Sequence, residues 1–563
     1  MKTTHDRWLR YLLFSLGMAL LSACTPESTD NPASSAPTNT EVADLVLFNG
    51  NILTMDTAGS SATALAVKAG EIIAVGDDSL TDRYPSSPAT DLGGQTLMPG
   101  FIDSHTHISG NPPHYIDLTE VTSVAEIRDL VSAKAEQVGA GNWITGYGWS
   151  EDVLEENRRP LIGDLDTAAP DNPVILTRAG GHSAVCSSNA LELAGIDATT
   201  PDPNGGIIER DSEGNLNGII RERQELVGAL VPEASDETLR PSLISNLNAL
   251  LALGITSIVQ ASDRIDHYPE WERVYQSHGS TLPRAAVQVA YEGREPMRAF
   301  GRITGAGDEQ LRVGAIKIFA DGGFTGPAAY TSLPYKGEDT YRGKLNMSEA
   351  ELEELIRMAH DDGWQLGIHA IGDAAIDLTV EYLATALADN PREDHRHYLN
   401  HFTVMPKDET MTTMAANGIA VTQQPNFTYT LEGRYVDNLD GRRLETNNPL
   451  RTPMDHGIHV AISSDILPIG PMTGIYAAVT RKGMSGRVFG ADEKLTRLEA
   501  LRGYTTLAAY LTFEEDRKGT LEPGKLADMI VLSANPMTVP AQQLLDIEVL
   551  QTYLNGNLIY EKE

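Results

Sequence analysis

At 563 residues the chain is too long for one small domain, and with 41% hydrophobic residues it can bury a large core. Its 78 acidic against 43 basic residues give a formal charge of -35, which argues against nucleic acid and anionic membrane surfaces as partners and fits a soluble body.

Lys2, Arg7 and Arg10 precede the apolar stretch from Tyr11 to Leu21, which is too short to span a bilayer as a mature helix and reads as a secretory signal. The stretch ends in Leu21-Ser22-Ala23-Cys24, which resembles a bacterial lipoprotein box. Cleavage after residue 23 would leave Cys24 as the lipidated first residue. That would place the protein in the bacterial cell envelope, with a lipid anchor expected at the periplasmic face of the outer membrane. Residues 24–43, rich in Ser, Thr, Pro and Asn, are expected to form a disordered tether. The other cysteine is Cys186, so with Cys24 acylated no intrachain disulfide remains and the core alone must stabilise the fold.

From Asp44 onward, DLVLFNGNILTMD and ALAVKAGEIIAVG are strand-like runs punctuated by Gly, Asn and Asp. GTLEPGKLADMIVLSANP and VLQTYLNGNLIYEKE, at the other end of the chain, read the same way. Neither end has enough strands to stand alone, so residues 44–98 and 519–563 are expected to complete one small β-sandwich domain.

LMPGFIDSHTH, from Leu97 to His107, ends an apolar run in two imidazoles one residue apart. On a strand His105 and His107 share a face, as two nitrogen ligands of one metal would. Further β-branched runs follow: GITSIVQAS, PRAAVQVAY, VGAIKIFADGG, QLGIHAIGD, HYLNHFTVM, GIAVTQQPNF and HVAISSDI. Helical patterns separate several of them, such as SEAELEELIRMAHDDG, stopped by Gly363. Eight strands alternating with helices predict an α/β fold, a (β/α)8 TIM-type barrel over residues 99–518, interrupted by an insertion at about 108–248. Lys317, His369, His401 and Asp465 each fall on a different strand, and a barrel would bring them together at its C-terminal face.

The stretches LMPGFIDSHTH, RAGGHSAVCSSNAL, PNGGIIERDSEGNLNGIIRE, KIFADGG, IHAIGD, SSDILPIGPMTGIYAAVTRK and GTLEPGKLADMIVL resemble the amidohydrolase superfamily, most closely its amidohydrolase family 3 branch, which includes enzymes similar to N-substituted formamide deformylases. The resemblance covers nearly the whole mature chain. It implies one or two divalent metal ions, Zn2+ being the expected ion, held by His105, His107, Lys317, His369, His401 and Asp465. Asp465 would carry the proton, and His401 or His182 would stabilise the oxyanion. Lys317 as an ammonium cannot be a ligand. In binuclear relatives the matching lysine carries a carbon dioxide adduct that bridges both metals, and the alternative here is a plain lysine paired with Asp321. Asn400 stands where relatives often show an acid before the histidine, so the surroundings of that ligand are expected to differ. His182 and Trp149, in the insertion, match positions that cap the site, although His182 could instead only cap the turn at Gly180-Gly181.

The implied activity is hydrolysis of a non-peptide amide C-N bond in a small molecule. A mononuclear deaminase, a lactone or ester hydrolase and a non-catalytic binding lipoprotein are the alternatives.

Overall fold

The computed structural model describes residues 42–563 except 204, 325 and 466–468. The expected secretory leader, Cys24 and nearly all of the expected tether lie outside the described residues, and Ala43, assigned to the tether, is already buried. Among the described residues no helix is long and apolar enough to cross a membrane.

Eight parallel strands form the central sheet: Phe101–Thr106, Ile255–Asp263, Arg284–Ala290, Leu311–Phe319, Leu366–Ala370, Tyr398–His401, Ala420–Gln423 and Val460–Ile462. A parallel bridge between Thr106 and Asp465 joins the last strand to the first and nearly closes the barrel. These strands read as continuous apolar runs because both faces are covered, one by the barrel interior and the other by helices. The helix Glu349–Asp361 illustrates the outer layer. Ser348 and Glu351 form a reciprocal cap at its start, Leu352, Ile356 and Ala359 face the sheet, and Gly363, at φ +88°, turns the chain away just beyond its end.

The first strand is followed by the insertion, whose six-stranded sheet has the order Ile207–Arg210, Leu216–Arg221, Ser183–Cys186, Val174–Arg178, Ile144–Trp149, Tyr115–Asp117. It has its own apolar core, in which Leu118, Ile127, Leu165 and Leu176 are fully buried. Both chain ends meet in a sandwich of one four-stranded and one six-stranded sheet. There Thr96–Pro99 pairs antiparallel with Met529–Leu532, setting Leu97 opposite Val531.

A buried ion pair ties this sandwich to the barrel. Arg284, at the start of the third barrel strand, donates to both carboxylate oxygens of Asp528 at 2.6 and 3.1 Å and to Asn555 at 2.7 Å. Arg284→Ala strands a buried carboxylate, so a loss of about 3–5 kcal/mol in unfolding free energy is expected, read from the urea midpoint.

Another buried polar cluster lies at the N-terminal ends of the fifth and sixth barrel strands. His397 Nδ1 accepts from Leu366 N at 3.1 Å, and its Nε2 meets His360 Nδ1 at 2.9 Å. His395 Nδ1 accepts from His397 N at 2.9 Å, and the outer Nε2 groups of His360 and His395 donate to the Asn390 and Asn417 carbonyls. Each ring uses one nitrogen as acceptor, so each is neutral. Burial holds all three below the ordinary imidazole range. With folded values depressed, the unfolded chain binds more protons below the ordinary imidazole pKa of about 6.5, and stability falls as pH drops through that value. Wild type is therefore expected to lose up to about 1.4 kcal/mol per pH unit below that point relative to His397→Gln, in parallel urea titrations at pH 7 and pH 5.

Candidate metal centre

The centre is built at the C-terminal ends of the barrel strands. His105 and His107 leave the first strand, Lys317 the fourth, His369 the fifth and His401 the sixth, and Asp465 follows the eighth. One ligand atom each from His105, His107 and Asp465 lies within 4.8 Å of the others. The His105 and His401 ring centres are 4.8 Å apart, and those of His369 and His401 are 4.5 Å apart. All six predicted residues thus meet around one point. His107 is the most open, its side chain 34% exposed.

Hydrogen bonds fix how these rings point. Asn400 Oδ1 takes the Nδ1 proton of His105 at 2.7 Å, and Gln424 Oε1 takes that of His401 at 2.8 Å. Nε2 of His105 is left buried without a hydrogen-bond partner among the described residues, and so are Nε2 of His369 and Nζ of Lys317. Three unpartnered buried nitrogens around a carboxylate would cost several kcal/mol if nothing joined them. Burial, with the nearby Lys317 adding to it, holds the imidazoles of His105 and His369 well below their ordinary range and lowers His107 to about 3. His401 is lowered too, by burial and then by its neighbour His369. Neutral rings with free lone pairs, beside an acid, are the donor set a divalent cation of the zinc type requires, and the residues present fit one.

The backbone is held in an unusual form here. His401 (φ +79°), Phe402 (φ +51°) and Asp465 (φ +63°) all occupy the left-handed region that non-glycine residues seldom adopt. Asp465 N donates to the His105 carbonyl at 2.8 Å, and this bond holds its carboxylate beside the histidines. Burial raises the Asp465 carboxyl and lowers the Lys317 ammonium, each opposed by the charge of the other.

The suggested pairing of Lys317 with Asp321 is not formed. Asp321 instead accepts the backbone N-H groups of Ile371, Gly372 and Tyr330 at 3.0, 2.9 and 2.9 Å and lies 3.6 Å from His369 Nε2, so it shapes the loop behind the site. Trp149 does not cap the site either: it is fully buried in the core of the insertion, its indole donating to Leu176 O at 2.9 Å. A register shift between Tyr147 and Trp149, at Gly148 with φ +118°, takes the ring off the Tyr147 face and turns it inward. His182, by contrast, reaches the cavity over the metal centre. That cavity, of about 220 Å3, has a polar floor of His107, Lys317, His369, His401 and Asp465. Its wall is apolar, made by Phe319, Phe324, Ile371, Phe427, Leu431 and Tyr435. Gln424 and the His182 partner Glu222 escaped the sequence reading, and Asn400, noted there beside His401, serves His105 instead. Uncharged amides and a lone acid carry no spacing signal until the strands that bear them are placed side by side.

Residues 89–560 match the amidohydrolase family. YtcJ of Bacillus subtilis is 31% identical, over 92% of this chain and 99% of its own. The N-substituted formamide deformylase of Arthrobacter pascens is 30% identical over 93% and 99%. Among solved structures, an uncharacterized metal-dependent hydrolase from Pyrococcus furiosus superposes with a TM-score of 0.67 at 25% identity, over 88% of this chain and 100% of that one. With a family match over most of the chain, relatives aligned along nearly their full lengths and a His-His-Asp cluster at the mouth of the barrel, the chain belongs to the amidohydrolase family.

Proposed function

We propose that the protein hydrolyses a non-peptide amide C-N bond of a small molecule at a centre of two divalent cations, with Lys317 carboxylated between them. The observation that carries this reading is the convergence of three strand-end histidines, an acid and an unpartnered buried lysine on one cavity, with His105 packed against His107 and His401 beside them. The deformylase relative supports an amide as substrate. When bound, the cations supply Lewis acidity, which lowers the pKa of water and polarises a carbonyl.

The remaining steps belong to the chain. His105, His107, His369 and His401 present lone pairs that are oriented by Asn400 and Gln424. Asp465, its carboxyl raised by burial, accepts the proton of the attacking water and returns it to the leaving nitrogen, which departs as a neutral amine. His182 faces the carbonyl from above and donates to the oxygen on which negative charge develops. The apolar wall excludes water and receives the substituent. Burial that depresses the Lys317 pKa leaves a free amine, which would add to carbon dioxide by forming an N-C bond and releasing a proton; the resulting anionic carbamate would help hold the cations.

The test combines turnover with metal counting. Purified, metal-replete protein is assayed against N-substituted formamides, N-acyl amino acids, cyclic amides, lactones and aryl esters. Release of an amine from at least one amide class is expected, with two cations per chain by elemental analysis, falling to one or none in Lys317→Ala. Turnover confined to lactones and esters would overturn the amide assignment. Two cations retained without the Lys317 side chain would remove the bridge.

A further inference from the structure

Glu222 is absent from the chemistry derived so far, and its surroundings are unusual. It follows the insertion strand Leu216–Arg221, which pairs with Ser183–Cys186 so that Ser183 lies opposite Arg221. That register sets Glu222 beside His182, and two contacts join them: Glu222 N donates to the His182 carbonyl at 2.9 Å, and Glu222 Oε2 lies 3.0 Å from His182 Nδ1. Glu222 has φ +60°, a conformation a glutamate rarely adopts. Its second oxygen, Oε1, is buried with no hydrogen-bond partner among the described residues.

The loop that follows Lys317's strand is cut to fit this pair. A side-chain carbon on Gly323 would sit 1.7 Å from His182 Nε2, and one on Gly326 would sit 2.0 Å from Glu222 Oε1. The barrel loop therefore leaves room for both members of the pair. His182 Nε2 is brought against Gly323, which lines the cavity with it.

From this geometry we infer that Glu222 is a positioning residue for His182. It holds Nδ1-H so that the ring keeps one orientation and Nε2 is the nitrogen offered to the substrate oxygen. With Nδ1-H held by the carboxylate, Nε2 is the ring atom turned toward the substrate oxygen, and the Glu222 charge compensates a proton carried there. The strained backbone at Glu222 and the glycines beneath it are then the cost of a fixed oxyanion donor carried by the insertion and not by the barrel. The inference rests on the hydrolase reading for the purpose of the pair but not for its existence.

Two measurements test it. With 4-nitroformanilide as probe, Glu222→Ala is expected to lower kcat by roughly 10- to 100-fold while KM and metal content stay unchanged. Glu222→Gln, which keeps an acceptor beside Nδ1, should recover part of the loss and guards against a folding defect. The double variant Glu222→Ala, His182→Ala should be no slower than His182→Ala alone, because Glu222 acts only through the ring. Losses that multiply in the double variant, or a rise in KM alone, would overturn the assignment. The second readout needs no turnover: 15N spectra of metal-replete protein, with His182 assigned by its absence from His182→Ala, should show a protonated Nδ1 in wild type and its loss in Glu222→Ala. An unchanged Nδ1 signal refutes the pair. If wild type cleaves no amide but the Nδ1 signal responds as expected, the hydrolase reading fails and the positioning contact stands.

Discussion

Replacing His105 and His107 together by alanine is expected to strip the metal and lower turnover by at least about 10³-fold, because removing Lewis acid catalysis forfeits several kcal/mol of transition-state stabilisation. The two rings supply two of the three ligand atoms that fall within 4.8 Å of one another, so their removal leaves Asp465 alone of that cluster. Folding should survive. The pair stands at the C-terminal end of its strand, where buried His105 contacts the polar groups of the centre, and the neighbouring strands are joined by a parallel ladder that both substitutions leave intact. Elemental analysis beside circular dichroism decides the outcome. A variant that keeps full metal content would show that the ligands lie elsewhere, and one that loses its helical signal would show that His105 is a packing residue.

Asp465→Asn should cost roughly 10²- to 10⁴-fold in kcat, the range of a lost general acid-base group. The substitution isolates the proton. Asparagine has nearly the same shape and tolerates the left-handed backbone at φ +63°, so the bond from residue 465 N to the His105 carbonyl and the closure of the barrel should persist. An amide cannot take a proton from water at neutral pH, whereas the buried carboxylate, its affinity for protons raised by its surroundings, can. Steady-state kcat with metal content held at the wild-type value is the measurement. If more than a tenth of the activity remains, a second base is at work, and His182 becomes the group to remove next.

The barrel was legible because parallel buried strands leave a strong trace: uninterrupted β-branched runs, each closed by Gly or a polar residue, separated by stretches of helical period. The neighbourhood of His105, His107, Lys317, His369, His401 and Asp465 could be read for a related reason, since strand ends are marked in the sequence and a barrel gathers them. Contacts made sideways between strands left no such trace. Asn400 reaches across to His105 on the first strand, not to the adjacent His401, and Glu222 meets His182 only through sheet register. Trp149, placed over the site by resemblance, misled because strand alternation sets it with Tyr147, whereas a register shift at Gly148 turns the ring into the insertion core. Asp321 misled because a short spacing from Lys317 suggests an ion pair, while the chain turns at the strand end and delivers backbone N-H groups to the acid first.

The pairing of Leu97 with Val531 has a consequence for biosynthesis. At about 5–20 residues per second, a ribosome needs tens of seconds to travel from one strand to its partner, and throughout that time the edge of Thr96–Pro99 has no neighbour on that side. The barrel helices and strands can assemble progressively, but the sandwich cannot exist before the last segment emerges. A nascent chain of this protein thus carries an unpaired, mostly apolar edge until synthesis ends, the kind of surface a holding chaperone protects. C-terminal truncations that spare every residue of the metal centre should for that reason aggregate instead of accumulating as an active core.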